Sequence, residues 1–392
     1  MRRTFGWVGW SAVIAGALLL IAATGILVVV DRGLASFGIS LPEAYQVLRA
    51  HRTDAMAIRD AEGPISTPNG IAERGFVQIG GIQQWVTIRG DDRRNPAVLI
   101  LHGGPGDAYS QLAYFFRDWE RAFTVVQWDQ RGAGRTYGLY GKATPDMTLD
   151  QFVEDGAEVA EYAGRRLNRP KIILLGHSWG SALGAYLTQR HPELFCAFVG
   201  TGQVVRTADL SASYYAYTLM RLTADHQAAA SAELERLGPP PYHTLGPEET
   251  VRKWLNHYLP QTDREYLLSS TYVALRNARY SLKDFRDLQD GHLSFSLPVL
   301  NSTYDALDLN TLGYRIPVPF FIIDGRSDRL TPPDLAAAFF QKIHAPEKAM
   351  VQIAGGHFAF MSNPDYFLHV LVEHVRPIAA CGPNPPNDAS HH

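Results

Sequence analysis

One serine in this chain has the setting of a catalytic nucleophile. The stretch Gly176-His177-Ser178-Trp179-Gly180 separates an apolar run, Lys171 to Leu175, from a helical pattern, Ser181 to His191. A serine between a buried strand and a helix lies on a sharp turn that lifts its hydroxyl clear of the sheet, and the flanking glycines leave room for that turn. We predict that Ser178 is a nucleophile; an ordinary Gly-Ser turn is the alternative.

A serine hydroxyl needs a base within hydrogen-bond reach, and that base needs a carboxylate to orient it. His357, in Gly355-Gly356-His357, directly follows the last predicted strand, so a loop can bring it over Ser178. Asp328 lies in the loop beyond another strand, Phe320 to Ile323. We predict His357 as the base and Asp328 as the acid, with Asp324 at the strand end in a structural role.

Acyl transfer also needs donors where negative charge develops on the substrate oxygen. The backbone N–H of Trp179, directly after the candidate nucleophile, is one such donor. The second is expected from the loop His102-Gly103-Gly104-Pro105-Gly106, which follows the predicted strand Ala97 to Leu101. Either Gly103 or Gly104 supplies it, and a plain glycine-proline turn is the alternative.

A third loop, Asp129-Gln130-Arg131-Gly132-Ala133-Gly134, also follows a predicted strand but offers no nucleophile. Its glycines do not indicate a dinucleotide site, because the third glycine of that pattern is missing. We predict a structural loop in which Asp129 and Arg131 form a pair.

These loops need a sheet to hold them. Eight short runs rich in β-branched and aromatic residues alternate with helical patterns, which predicts a mostly parallel eight-stranded α/β sheet covered by helices. In such sheets, sites lie beyond the carboxyl ends of the strands, where these loops fall. The first two strands are expected to form a hairpin through Gly80-Gly81. The predicted strands are Phe76 to Ile79, Gln84 to Ile88, Ala97 to Leu101, Thr124 to Trp128, Lys171 to Leu175, Phe195 to Val199, Phe320 to Ile323 and Ala349 to Ile353.

The N-terminal segment has the pattern of a membrane anchor. Residues 5–30 carry no charged side chain, and as a helix they would span roughly 37 Å, enough to cross a ~30 Å hydrocarbon core. Arg2 and Arg3 precede the run, which predicts a catalytic domain on the extracytoplasmic side. The predicted organisation is a cytoplasmic stub and transmembrane helix (1–32), a juxtamembrane helix and linker (33–74), a catalytic core in two parts (75–206 and 314–378), a helical cap (207–313) and a disordered tail (379–392).

Composition excludes some partners and cofactors. A formal net charge of -3, without any block of Lys and Arg, argues against nucleic acid. The two cysteines, Cys196 and Cys381, have no spacing that suits zinc or a redox motif, and Cys196 lies in an apolar run that predicts a buried free thiol. No metal or organic cofactor is implied, because the nucleophile, base and oxyanion donors are all in the chain.

Taken together, the motifs that contain Gly103, Asp129, Ser178, Asp328 and His357 resemble those of the proline iminopeptidase family of α/β-hydrolases. The resemblance runs from about Gly75 to Pro377. It implies the α/β-hydrolase fold with a helical cap insertion, a triad of Ser178, Asp328 and His357, and an oxyanion hole formed by Trp179 and the glycine loop. The implied reaction is hydrolysis through an acyl-enzyme, which releases N-terminal proline or another small residue from a peptide.

The cap departs from that family's pattern. Members that remove proline hold the free amine with glutamates, one of which follows a cap tryptophan, whereas here Trp254 is followed by Leu255. The candidate substrate-binding residues are therefore Glu248, Glu249, Trp254 and Glu265. Two alternatives to the aminopeptidase stay open, namely a membrane-anchored carboxylesterase or lipase-like hydrolase and an inactive binding protein of the same fold.

Overall fold

The computed structural model describes residues 39–242 and 244–378, and within them eight strands form one sheet. The strands are β1 (Ile71–Ile79), β2 (Ile82–Gly90), β3 (Ala97–Leu101), β4 (Thr124–Asp129), β5 (Ile172–His177), β6 (Phe195–Thr201), β7 (Phe320–Gly325) and β8 (Lys348–Ile353). Their order is β1-β2-β4-β3-β5-β6-β7-β8. β2 runs antiparallel to both of its neighbours, and the other pairs are parallel.

All eight predicted strands are present, and the predicted hairpin pairs Ile79 with Ile82. β3, β4, β5 and β7 are buried along their whole length, because helices cover both faces of the parallel part of the sheet. β1 begins at Ile71, inside the segment 33–74 assigned to the linker. Most residues of β1 are exposed or half-buried. Its first half therefore lacks the apolar pattern that identified the other strands, and the sequence did not predict where β1 begins.

Most of the helices either cover the sheet or form the cap. They are α1 (Leu41–Ala50), α2 (Ala55–Arg59), α3 (Gly134–Tyr140), α4 (Leu149–Leu167), α5 (Trp179–Arg190), α6 (Thr207–Ala224), α7 (Ala228–Leu237), α8 (Leu245–Leu255), α9 (Gln261–Arg276), α10 (Leu282–Gln289), α11 (Leu297–Asp305), α12 (Pro333–Lys342), α13 (Ala359–Ser362) and α14 (Pro364–Val370). Helices α6 to α11, with a π-helical segment Asp290–Ser296 between the last two, form the cap between β6 and β7. The segment after β3 forms two short 3-10 helices, Ser110–Phe116 and Trp119–Arg121.

Helix α1 packs on the cap rather than standing apart from it. The Nε2 atom of His51 lies 2.8 Å from Oγ of Ser269 on α9. Arg264, also on α9, donates to Glu43 of α1 at 3.3 Å. The predicted juxtamembrane helix is therefore part of the packing around the cap.

The predicted pair of Asp129 and Arg131 is wrong. Arg131 is fully buried and pairs with Asp155 on α4, its Nε lying 2.6 Å from Oδ2. Asp129 accepts instead from the backbone N–H of Arg135 at 2.9 Å. A fully buried guanidinium needs a charged partner, and α4 supplies that partner from 24 residues further along the chain.

Two other predictions concern the ends of the chain. Among the described residues, no helix is both long and apolar enough to cross a membrane; the predicted span within residues 5–30 and the predicted tail 379–392 lie outside them. The free thiol at Cys196 is wrong, because Cys196 is half-buried and disulfide-bonded. The apolar run around Cys196 had predicted a thiol, but apolar surroundings do not distinguish a free thiol from a disulfide.

Candidate active site

Ser178 lies on a strained turn between β5 and α5. Its backbone has φ 54° and ψ -120°, which a residue with a side chain rarely adopts. A Cβ on Gly176 would lie 2.2 Å from the carbonyl oxygen of Gly180, and one on Gly180 would lie 2.2 Å from that of Leu101. The turn therefore requires both glycines, and it places Ser178, half-buried, at the floor of a cavity.

His357 is held by Asp328 from the loop after β7. The Nδ1 atom of His357 lies 2.8 Å from Oδ2 of Asp328 and 3.0 Å from Oγ1 of Thr331. The backbone N–H groups of Leu330 and Thr331 each donate to Asp328 Oδ1 at 2.8 Å, which fixes the carboxylate. Because Nδ1 carries the donated proton, Nε2 is the nitrogen that can accept one.

The charge state of His357 follows from two opposing effects. Burial lowers its pKa, whereas the charge of Asp328 and the hydrogen bond to it raise the pKa, and the pKa ends above the ordinary value of a histidine. The second carboxyl in this region, Asp324, is fully buried, and burial raises its pKa to about 8. Asp324 accepts from the backbone N–H of Gln203 at 3.3 Å, a structural contact between the loops after β6 and β7.

The backbone N–H groups of Gly103 and Gly104, in the loop after β3, differ in whether they already have a hydrogen-bond acceptor. The N–H of Gly103 donates to the hydroxyl of Tyr109 at 3.2 Å. Within residues 39–242 and 244–378, the N–H groups of Gly104 and Trp179 have no acceptor. Gly104 lines the same cavity as Ser178, whereas Gly103 does not.

A buried chain of hydrogen bonds joins the three loops of the site. The hydroxyl of Tyr109 lies 2.5 Å from Nδ1 of His177, and Nε2 of His177 lies 3.0 Å from the carbonyl oxygen of His357. The carbonyl oxygen of His357 can only accept, so Nε2 of His177 carries the proton and donates to it. In the neutral ring Nδ1 is then the acceptor of the Tyr109 proton. Burial lowers the pKa of His177 well below its usual range, so this ring stays neutral.

The loop after β4 supports the glycine loop. The Nδ1 atom of His102 lies 2.9 Å from the carbonyl oxygen of Gly103. Its Nε2 atom accepts from the backbone N–H of Gln130 at 3.2 Å. The side-chain oxygen of Gln130 in turn accepts from the indole N–H of Trp179 at 3.1 Å. Burial lowers the pKa of His102 to about 4, so a neutral ring connects the two loops.

One cap residue reaches the loop that carries His357. Asp263, in the first turn of α9, is fully buried. Its carboxylate accepts from the backbone N–H of His357 at 2.8 Å and from that of Phe358 at 3.2 Å. Burial raises its pKa to about 6. The cap therefore helps to fix the backbone of the candidate base.

Ser178 and His357 line a cavity of about 460 Å³ beneath the cap. Two of the candidate substrate-binding residues, Glu248 and Glu249, also line it. Glu248 accepts from Arg252, another lining residue, at 3.0 Å. The loop residue Asp107 adds a third carboxyl, whose pKa burial raises.

The other two candidates from the cap do not line this cavity. The indole N–H of Trp254 donates to Glu233 at 2.8 Å, and Glu265 accepts from Gln261 of its own helix at 2.7 Å. Leu255 is fully buried. The position after the cap tryptophan therefore faces the interior of the cap here, where a glutamate would have no access to the substrate.

Several residues of the site were missed from the sequence. His177 lies inside the nucleophile motif, but that position tolerates many residue types and signals nothing by itself. Asp263 resembles any acid in the first turn of a helix, where the helix dipole favours negative charge. Tyr109 and Asp107 follow the glycine loop without a distinctive spacing. Only the spatial arrangement of the loops reveals what these side chains contact.

Comparisons with known proteins agree with this fold and these motifs. A family model described as the alpha/beta hydrolase fold matches residues 96–364. The probable aminopeptidase YbaC of Bacillus subtilis is 28% identical over 310 residues, covering 76% of this chain and 95% of that protein. The proline iminopeptidase of Neisseria gonorrhoeae is 29% identical over 308 residues, covering 73% and 90%. The resemblance drawn from the motifs is confirmed.

Solved structures show the same fold. A proline iminopeptidase-related protein from Thermus thermophilus superposes with a TM-score of 0.56 at 22% identity, covering 79% of this chain and 99% of that one. The proline iminopeptidase of Mycobacterium smegmatis gives 0.55 at 19% identity, covering 78% and 99%. Because the family model also spans more than half of the sequence, this chain belongs to the α/β-hydrolase family and is a hydrolase.

Proposed function

We propose that this hydrolase is a serine aminopeptidase that releases N-terminal proline or another small residue through an acyl-enzyme at Ser178. Ser178 and His357 line one cavity, and Asp328 holds His357 from behind at 2.8 Å. This arrangement is the main support for the serine mechanism. The relatives named as aminopeptidases support the peptide substrate.

In the first step, Oγ of Ser178 attacks the carbonyl carbon of the substrate while Nε2 of His357 takes the hydroxyl proton. Asp328 keeps the proton of His357 on Nδ1 and stabilises the imidazolium that forms. His357 then gives its proton to the leaving amine. A water molecule then attacks the acyl-enzyme by the same steps, with His357 as the base, and the free amino acid is released.

The negative charge on the substrate oxygen is taken by backbone donors. The N–H groups of Gly104 and Trp179 are the two that have no other acceptor in the described part of the chain. A donor of this kind is worth about 2.7 to 4 kcal/mol in the transition state. The N–H of Gly103 is already bonded to Tyr109 and serves to hold the loop.

An aminopeptidase must also recognise a free amine. Glu248 and Glu249 of the cap line the cavity, and Glu248 is already paired with Arg252. Glu249 is therefore the carboxylate that we assign to the substrate ammonium. Its position on α8 replaces the glutamate that would follow Trp254 in the related enzymes.

Replacing Ser178 with alanine tests the mechanism. We expect Ser178→Ala to lose at least ~10³-fold in kcat on a prolyl-arylamide while it stays folded. A fluorophosphonate probe should label Ser178 in the unmodified protein, as read by mass spectrometry of the tryptic peptide. Ser302→Ala, an exposed serine on α11, is the matched control. Full activity in Ser178→Ala would exclude the mechanism.

The peptide specificity needs its own test. We expect rapid turnover of the prolyl-arylamide. Acylation of the proline nitrogen should abolish this turnover. Turnover of short p-nitrophenyl esters without any turnover of the arylamide would instead support an esterase and reject the aminopeptidase.

We also propose that the domain lies on the extracytoplasmic side of a membrane. The uncharged run 5–30 behind Arg2 and Arg3 supports this location, and so does the disulfide at Cys196, since disulfides persist in oxidising compartments. In protein taken from cells under acid quench, Cys196 should react with iodoacetamide only after reduction. Protease added to spheroplasts should degrade the domain; protection until lysis would contradict the proposed side.

A further inference from the structure

A second cavity, of about 650 Å³, adjoins the active-site cavity. Asp107, His292, Leu293 and Phe358 line both of them. The two cavities therefore meet at these four side chains, next to the space above Ser178. This volume lies within the range of cavities that bind small organic ligands.

The walls of the second cavity are mostly apolar. Helix α9 contributes Leu268 and Ala274, α10 contributes Phe285, and α1 contributes Leu48. Among the described lining residues, Asp107 is the only aspartate, glutamate, lysine or arginine. The active-site cavity, in contrast, is lined by Glu248, Glu249 and Arg252 from the cap. The second cavity therefore suits hydrocarbon and disfavours a charged peptide terminus.

The mouth of this cavity carries exposed apolar side chains. Leu48 is 44% exposed, Leu275 is 47% exposed and Leu293 is 55% exposed, although all three line the cavity. The neighbouring helices α1 and α2 expose Tyr45 and Met56 as well. Exposed apolar residues grouped in this way mark a surface that meets an apolar ligand or phase.

We propose that the second cavity binds the hydrocarbon chain of a long-chain acyl ester whose carbonyl carbon lies at Ser178. The proposal rests on the nucleophile of the proposed function and adds a second substrate class to it. In this reaction Oγ of Ser178 bonds to the acyl carbon, the ester C–O bond breaks, and the alcohol leaves with the proton from His357. Water then attacks the acyl-enzyme and releases the fatty acid.

The length of the acyl chain provides the measurement. For p-nitrophenyl esters from two to twelve carbons, kcat/KM should rise with chain length by up to about 4-fold per methylene, the value for complete removal of a methylene from water. The full chain, reconstituted in lipid nanodiscs, is used throughout. A flat profile with measurable turnover of the two-carbon ester would overturn the proposal.

A bulky residue inside the cavity should remove this preference. Ser270 lines only the second cavity, is half-buried and donates its hydroxyl within α9. In Ser270→Trp, the ratio of decanoyl to acetyl ester turnover should fall at least 10-fold. The control is Thr223→Trp on α6, an exposed residue whose hydroxyl also bonds within its own helix. An unchanged ratio in Ser270→Trp would reject the cavity as the chain site.

Binding without catalysis separates this inference from the proposed mechanism. In Ser178→Ala, a fluorescent polyene fatty acid should bind, and adding Ser270→Trp should weaken binding at least 10-fold relative to adding Thr223→Trp. If no ester is hydrolysed and no fluorophosphonate label appears, the mechanism fails while this binding difference still supports the cavity. Equal binding in the two double variants would overturn the inference whatever the catalytic result.

Discussion

The catalytic floor and the cap of this protein use polar groups in opposite ways. The catalytic floor consists of the loops after β3, β5, β7 and β8, where His102, His177, Asp328 and His357 are nearly or fully buried and hydrogen-bonded to fixed partners. In the cap, formed by α6 to α11, the charged residues that line the cavity stay partly exposed, as in the pair of Glu248 and Arg252, whereas Asp263, which reaches the loop of His357, is buried. The difference teaches that a buried network fixes the candidate catalytic groups, whereas the charged cap residues that line the cavity remain within reach of water.

The largest expected effect comes from Asp328, on the loop after β7, compared with Asp324 at the end of that strand. Asp328→Asn should lower kcat by ~10³ to 10⁴-fold, because an amide cannot hold His357 in the required tautomer. Asp324→Asn should change kcat by less than about 5-fold, since the raised pKa of about 8 already keeps that carboxyl protonated near neutral pH. Steady-state kinetics and thermal melts of both variants provide the measurement. Comparable losses would show that the geometry of Asp328 is not decisive.

The pH profile should show the charge state of the floor. His357 must be neutral to act as the base, and Asp328 raises its pKa above the ordinary value. We therefore expect kcat/KM to fall about tenfold per pH unit below a midpoint that lies above ~6.5. In Asp328→Asn the midpoint should move to lower pH, because the charge that raised the pKa is gone. A midpoint that does not move would contradict the assignment of His357.

A smaller effect is expected where the cap touches the floor. In Asp263→Asn, one of the two backbone N–H groups of His357 and Phe358 loses its acceptor, since an amide has a single oxygen. We expect a ~10-fold loss of kcat at pH 8 with little change in KM, and a smaller relative loss below pH 6, where the wild-type carboxyl is itself protonated. Glu265→Gln on the same helix is the control. An altered KM with unchanged kcat would place Asp263 in substrate binding instead.

The smallest effects should come from the cap alone. Glu249→Gln should raise KM for the prolyl-arylamide by up to about 5-fold, as expected for a charge pair that water screens. Trp254→Phe should leave KM unchanged, because that side chain contacts Glu233 and does not line the cavity. The same two variants assayed with an amine-blocked ester should be indistinguishable. If Trp254→Phe raised KM as much as Glu249→Gln does, the two residues could not be assigned different roles.

This contrast also explains how far the sequence could be interpreted. Most of the eight strands are apolar runs, and the carboxyl end of each parallel strand lies at one edge of the sheet, so the positions of Ser178, Asp328 and His357 followed from local pattern. The partner of Arg131 could not be predicted in this way. Its partner, Asp155, lies on α4, and the sequence of the loop does not indicate which helix packs against Arg131. Glu248, Glu249, Trp254 and Glu265 could not be separated either, since helical periodicity says which residues share a face but not which face meets the cavity.

The contact of Asp263 with the loop of His357 limits how such an enzyme can change its substrate range. The cap is an insertion between β6 and β7, so it could be replaced by the cap of a related enzyme. Here a transplanted cap would bring new cavity walls but would also remove the acceptor of two backbone N–H groups in the loop of the candidate base, His357. A successful exchange must therefore carry an aspartate at the start of the equivalent helix, so that substrate range and catalytic competence are inherited together.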